Sequence, residues 1–123
     1  MLHRKNRPER PLVETTIKRG IAMHGKTLSV RVLQRSEGEA RATVVVSGKV
    51  SKLAVKRNRL KRRIRALLAT KLPHLQTGVS VVVFAKKEAL EAHTKEIDTD
   101  LNKLLIASKL YPRPHSVGSE KRG

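Results

Sequence analysis

The apolar residues of the chain follow two periods, one near two and one near 3.6, and the places where the period changes divide it into elements. Residues 12–19 read as a short helix, with Pro11 suited to its first turn and Gly20 to its C-terminal end. Residues 27–35 alternate, with Leu28, Val30 and Val32 on one side and Ser29 and Arg31 on the other, which predicts a strand with one wet face. Ser36-Glu37-Gly38-Glu39 supplies a turn, and residues 41–47 contain Thr43-Val44-Val45-Val46, a β-branched run that suits a buried strand. The short link predicts that these two strands form a hairpin. Residues 52–71 take helical spacing, with Leu53, Leu60, Ile64, Leu67 and Leu68 on one stripe, and Pro73 ends the helix. Gly78 turns the chain into residues 79–85, a further β-branched strand. Thr94 is placed to cap a last helix that runs to about Lys109, with Ile97, Leu101, Leu104 and Leu105 as its apolar side.

The predicted order is α-β-β-α-β-α. Strand 41–47, its following helix and strand 79–85 have the length of a crossover unit, so these strands are expected to lie parallel. The fold class is then an α/β (α+β) two-layer sandwich with a small mixed sheet. Residues 12–110 form one expected domain, and the Pro- and Lys/Arg-containing residues 1–11 and the Pro/Gly/Ser-rich residues 111–123 read as tails. The longest apolar runs are only a few residues, such as 81–85, too short for a spanning helix. No apolar segment follows the basic start, so no secretory signal is expected and the chain reads as cytoplasmic. Without cysteine there is no disulfide scaffold, thiolate zinc site or Cys nucleophile.

Charge changes this picture most. The 123 residues hold 28 Lys and Arg against 10 Asp and Glu, a formal net charge of +18. From Ala40 to Lys87 there is no acidic residue, while Lys and Arg number thirteen. Within this stretch, residues 56–65 read Lys-Arg-Asn-Arg-Leu-Lys-Arg-Arg-Ile-Arg, seven cations in ten positions. On a helical wheel Leu60, Ile64 and Leu67 point to the core. Asn58, Arg62 and Arg65 lie opposite, Lys61 and Arg59 flank them, and Arg57 falls near the apolar stripe, so its guanidinium must snorkel or reach along a groove. Like charges one turn apart destabilise a helix. A solvated amphipathic helix accounts for two or three such charges, whereas seven point to a polyanion that supplies the counter-charge. The planar guanidinium matches phosphate oxygens, and Asn58 can meet a base edge or a 2′-OH. Phe84 and Tyr111 are the only aromatics, which argues against domains that stack bases on several exposed rings.

Other chemistry is weakly represented. His3, His24, His74, His93 and His115 are scattered without metal-ligand spacing. Asp98 and Asp100 point in different directions on a helix and read as surface residues. Ser47-Gly48-Lys49 lacks the upstream glycines of a phosphate loop, and Gly20, Gly25 and Gly48 read as turn residues. No nucleophile, base and oxyanion donor come together, so no hydrolytic machinery is expected in the polypeptide.

Val46-Ser47-Gly48-Lys49 followed by Ala54-Val55-Lys56-Arg57-Asn58-Arg59-Leu60-Lys61-Arg62-Arg63-Ile64-Arg65 resembles the RNR signature of the bacterial ribonuclease P protein component, in which A-x-x-R-N-R-x-K-R-x-x-R opens a helix after a strand. The resemblance extends more loosely over residues 12–109. It implies a protein subunit that binds the catalytic RNA and the 5′ leader of precursor tRNA. The RNA subunit would perform the magnesium-dependent cleavage and hold the Mg2+, with no metal bound tightly by the protein and no obligate protein partner. The family's parallel crossover is left-handed, against the general rule. By position, Lys49, Lys52, Lys56, Arg57, Asn58, Arg59, Lys61, Arg62 and Arg65 would meet RNA. The family lines its leader cleft with aromatics on the first helix and first strand. Val13, Ile17 and Arg31 occupy those positions here, so the resemblance implies leader contact through Arg31, Lys18 and van der Waals contact, without stacking on rings. Gly48 also replaces a usual lysine. Two other readings of the charge are a basic ribosomal or ribosome-assembly protein and a DNA-binding protein, and the latter lacks a convincing helix and turn before residues 58–65.

Overall fold

The computed structural model describes residues 10–35 and 38–111. The elements are α1 (Arg10–Arg19), β1 (Ile21–His24), β2 (Leu28–Gln34), β3 (Arg41–Val45), α2 (Ala54–Lys71), β4 (Val79–Ala85) and α3 (Thr94–Ala107), with short 3-10 turns at Leu72–His74 and Lys87–Leu90. The predicted elements are therefore present, with β1 added. Most of the two expected tails, and Ser36 and Glu37 of the expected turn, lie outside the described residues.

One four-stranded sheet has the order β1-β2-β4-β3. β4 runs parallel to β3 and antiparallel to β2, which confirms the parallel crossover. The hairpin expected between residues 27–35 and 41–47 does not form. β4 stands between them, so β2 and β3 are two strand spacings apart, about 10 Å. The physical reason is burial: Val79, Ser80, Val81, Val82 and Val83 are all buried, and only a central strand covers both faces at once. β3 buries only Ala42 and Val44 and accepts the edge, contrary to the buried position its β-branched run implied. The hairpin that does form joins β1 to β2, pairing Ile21 with Val32 and His24 with Ser29.

One face of the sheet presents Leu28, Val30, Val32, Ala42, Val44, Val79, Val81 and Val83 to Leu60, Ile64 and Leu68 of α2 and Ile97, Leu101, Leu104 and Leu105 of α3. Helix α1 lies on the opposite face, where Thr16 and Ser80 share a buried hydrogen bond of 2.8 Å. Leu53, placed on the apolar stripe by its spacing, is 58% exposed because it precedes the first helical turn and lies outside the reach of the sheet. Lys71, one turn beyond Leu67, is buried and forms an ion pair of 2.6 Å with Asp98, tying α2 to α3. Thr94 is the first residue of α3 and not its cap. Glu96 Oε1 accepts a 2.9 Å hydrogen bond from His93 N, closing the turn before the helix.

Asp100 corrects the expectation of a surface carboxylate. It accepts hydrogen bonds from Thr27 N (2.8 Å), Thr27 Oγ1 (2.8 Å), Leu28 N (3.0 Å) and Lys26 N (3.3 Å), and so holds the β1–β2 turn against α3. Gly25 permits this approach, since a Cβ there would stand 2.4 Å from Asp100 Oδ1. Burial raises the Asp100 pKa, but the bonds from Thr27, Leu28 and Lys26 outweigh it and hold the carboxyl below its usual value. Because the folded-state pKa is depressed, the stabilisation is present above the unfolded value of about 3.9 and is lost as pH falls through the folded value. Replacing Asp100 by Ala is expected to destabilise the fold by about 1–3 kcal/mol at neutral pH through unsatisfied backbone donors. Chemical denaturation checks this, and the gap between variant and parent should narrow below about pH 4.

Candidate nucleic-acid interface

Helix α2 begins without an acidic residue in its first turn and without a side-chain cap. Its start is instead held by Arg57, whose backbone N–H donates to Leu53 O (3.1 Å) and whose guanidinium reaches back to Ser51 O (2.9 Å). This is the groove-following course expected for Arg57. Farther along, Arg63 donates to Ala92 O at 2.8 Å and to Thr94 Oγ1, fastening α2 to the start of α3. Two of the seven clustered cations therefore brace the helix.

The remaining cations face outward. Among the described residues, the side chains of Lys49, Lys52, Lys56, Asn58, Arg59, Lys61, Arg62 and Arg65 make no hydrogen bond or ion pair. Asn58, Lys61, Arg62 and Arg65 line one shallow groove with Val55, which is 67% exposed. Lys49 lies apart from that groove, beside Ser47, Val50, Lys86 and Lys87 where β3 and β4 end. Six like-charge neighbours sit one turn apart on α2: 56/59, 59/62 and 62/65 three apart, and 57/61, 59/63 and 61/65 four apart. At about 0.2–0.5 kcal/mol each, they cost on the order of 1–3 kcal/mol at low salt. A bound polyanion offsets that repulsion.

Among the described residues no three His, Cys, Asp or Glu side chains are grouped to hold a metal ion, and no helix is long and apolar enough to cross a membrane. The ribonuclease P family model matches residues 9–109, nearly the whole described chain. The chain belongs to the ribonuclease P protein family. A ribonuclease P protein component of Pseudanabaena is 38% identical over 93 residues, covering 75% of this chain and 80% of its own. That of Microcystis aeruginosa is 34% identical over 114 residues, covering 89% and 92%. The fold agrees with the Staphylococcus aureus RNase P protein (TM-score 0.75, 22% identity, 89% and 99% of the two chains). It agrees also with the Thermotoga maritima RNase P protein (TM-score 0.69, 22% identity, 80% and 94%). The family is that of the protein component of a tRNA-processing ribonucleoprotein nuclease, which decides against the ribosomal and DNA-binding readings.

The residues assigned to the leader cleft are distributed as follows. Val13 and Ile17 are half-buried on α1, and Lys18 is exposed. Arg31 stands on the outer sheet face and donates through Nη1 to Ile17 O, joining β2 to the end of α1. Their spacing did not reveal Phe84. The register sets it opposite Ser29 and Val45, on the same outer face as Arg31 and Val82. The signal was present as parity within β4, where positions 80, 82 and 84 oppose the core-facing 79, 81 and 83, but reading it needs the strand pairing.

Arg63 and Arg62 separate bracing from binding. Arg63→Ala is expected to destabilise the fold by about 1 kcal/mol through its lost hydrogen bonds. Arg62→Ala is expected to leave stability unchanged or to raise it by a few tenths of a kcal/mol. Thermal unfolding of both variants at low salt checks the difference.

Proposed function

We propose that this chain is the subunit of ribonuclease P that docks on the catalytic RNA through the outward face of α2 and through Lys49 and Lys52, and that receives the 5′ leader of precursor tRNA on its outer sheet face. The observation that carries the reading is the set of unpaired donors on α2 in an acid-free stretch of a ribonuclease P family member. Phosphates replace the missing partners, and each contact releases counterions, so affinity depends strongly on salt. Asn58 adds a neutral donor and acceptor among the cations, suited to a base edge or a 2′-OH. The polypeptide contributes no cleavage step. Magnesium chemistry belongs to the RNA. Tethering the leader beside the RNA subunit raises its local concentration at the cleavage site. The holoenzyme acts in the cytoplasm on precursor tRNA and requires no further protein.

Arg59 and Arg62 test the docking surface because both are exposed and neither is used to hold the fold. Replacing both by Ala is expected to weaken binding to the cognate RNA subunit and to reduce the slope of log K against log salt by about 1.5, two phosphate contacts at about 0.7–0.9 each. Filter binding across a salt series measures it. An unchanged slope would place the RNA elsewhere on the protein.

A further inference from the structure

Four large apolar side chains are exposed among the described residues: Ile21, Leu53, Val55 and Ile106. Val55 is the most exposed of them, at 67%, and it is the one that lies within the basic groove of α2. It takes no part in the hydrophobic core, to which α2 contributes Leu60, Ile64 and Leu68, with Leu67 packed beside them. Valine is also a poorer helix former than the alanine that precedes it. Folding therefore gains little from Val55.

The groove encloses about 440 Å³, and its walls are Val55, Asn58, Lys61, Arg62 and Arg65. Residues 55, 58, 62 and 65 follow the spacing of one helical stripe. That stripe is divided. Its N-terminal half is neutral, Val55 then Asn58, and its C-terminal half is cationic, Arg62 then Arg65, with Lys61 alongside. Val55 and Asn58 stand about 4.5 Å apart along the helix axis, and Asn58 and Arg62 about 6 Å. A duplex set against the stripe presents phosphates and sugar hydroxyls, which suit the arginines and leave Val55 facing polar oxygen. An unpaired nucleotide offers three surfaces at once: phosphate for the arginines, a base edge for Asn58 and an apolar base face for Val55. Withdrawing the last pair of surfaces from water is favourable and releases no counterions.

We infer that the groove on α2 holds one unpaired nucleotide of the RNA subunit, with Val55 against the face of its base and Asn58 at its edge. The inference rests on the reading of α2 as the face that docks on that RNA, and adds to it a contact without charge. Docking then has two separable parts. The cations supply the part that salt weakens, and Val55 supplies a part that does not depend on counterion release.

Binding of the full chain to its RNA subunit is measured across a salt series for the parent, Val55→Ala and Val55→Ile. Val55→Ala is expected to weaken binding about fivefold at every salt concentration, a parallel displacement with the slope unchanged. Val55→Ile keeps the apolar contact and is expected to recover most of the lost affinity. Thermal unfolding of the free protein is expected to find Val55→Ala as stable as the parent or more so, because alanine favours the helix and no core contact is lost. Acylation of RNA 2′-hydroxyls at saturating protein then locates the nucleotide. One unpaired position is expected to be protected by the parent and to regain reactivity with Val55→Ala. Parental affinity in Val55→Ala, a changed slope, or the absence of a protection that depends on Val55 would overturn the inference. If replacing Arg59 and Arg62 leaves the salt slope unchanged, the docking reading itself fails and the inference with it.

Discussion

Strand β4 carries valine at positions 79, 81, 82 and 83, and every one of these side chains is withdrawn from water. A strand covered on both faces must also have both edges paired, so β2 takes one side and β3 the other. Pairing β3 parallel to β4 then demands a connection from the end of one strand to the start of the other, and α2 is that connection. The most basic segment of the chain is thereby mounted on the core through Leu60, Ile64 and Leu68. Its charges stay fixed in direction because the inner stripe is anchored.

The bracing of α2 explains how a helix with six like-charge neighbours survives in the free protein. Apolar burial on one side and polar ties at three points oppose the repulsion. Arg57 holds the entry through Ser51 O, Arg63 holds the middle through Ala92 O and Thr94 Oγ1, and Lys71 holds the exit through Asp98. The outward cations are left without partners. A basic surface on a folded helix loses less backbone entropy on meeting phosphates than an unfolded basic segment would. Asp100 performs an analogous service on the same helix α3, where it seats the β1–β2 turn.

Much of this was legible in the sequence because the strongest periodic signals also decide the architecture. The alternation of Leu28, Val30 and Val32, the stripe of Leu60, Ile64 and Leu68, and the apolar side of Ile97, Leu101 and Leu105 all reach the core as their spacing implies. The basic face of α2 was equally legible, since the wheel positions of Asn58, Arg62 and Arg65 depend only on helix geometry. What depends on pairing was not. The Ser36–Glu39 turn favoured a hairpin on local grounds, and only the two-sided burial of β4 forces β2 and β3 apart. β1 has four residues and owes its form to the partner strand β2. The orientation of Phe84, the structural use of Arg63 and the four hydrogen bonds to Asp100 likewise follow from tertiary neighbours that no local pattern names.

The central claim is that the outward face of α2 lies against the catalytic RNA. The chain contains no cysteine, so a single introduced thiol can carry a tethered iron chelate that cleaves nearby RNA. Ala66 is exposed on α2 one turn beyond Arg62, and Ala107 is exposed at the end of α3, on a different helix. The most direct measurement is cleavage of the RNA subunit in the reconstituted holoenzyme by probes placed through Ala66→Cys and Ala107→Cys. The account predicts strong, localised cuts from position 66 and weak or absent cuts from position 107. Localised cuts from position 107 with none from position 66 would contradict it.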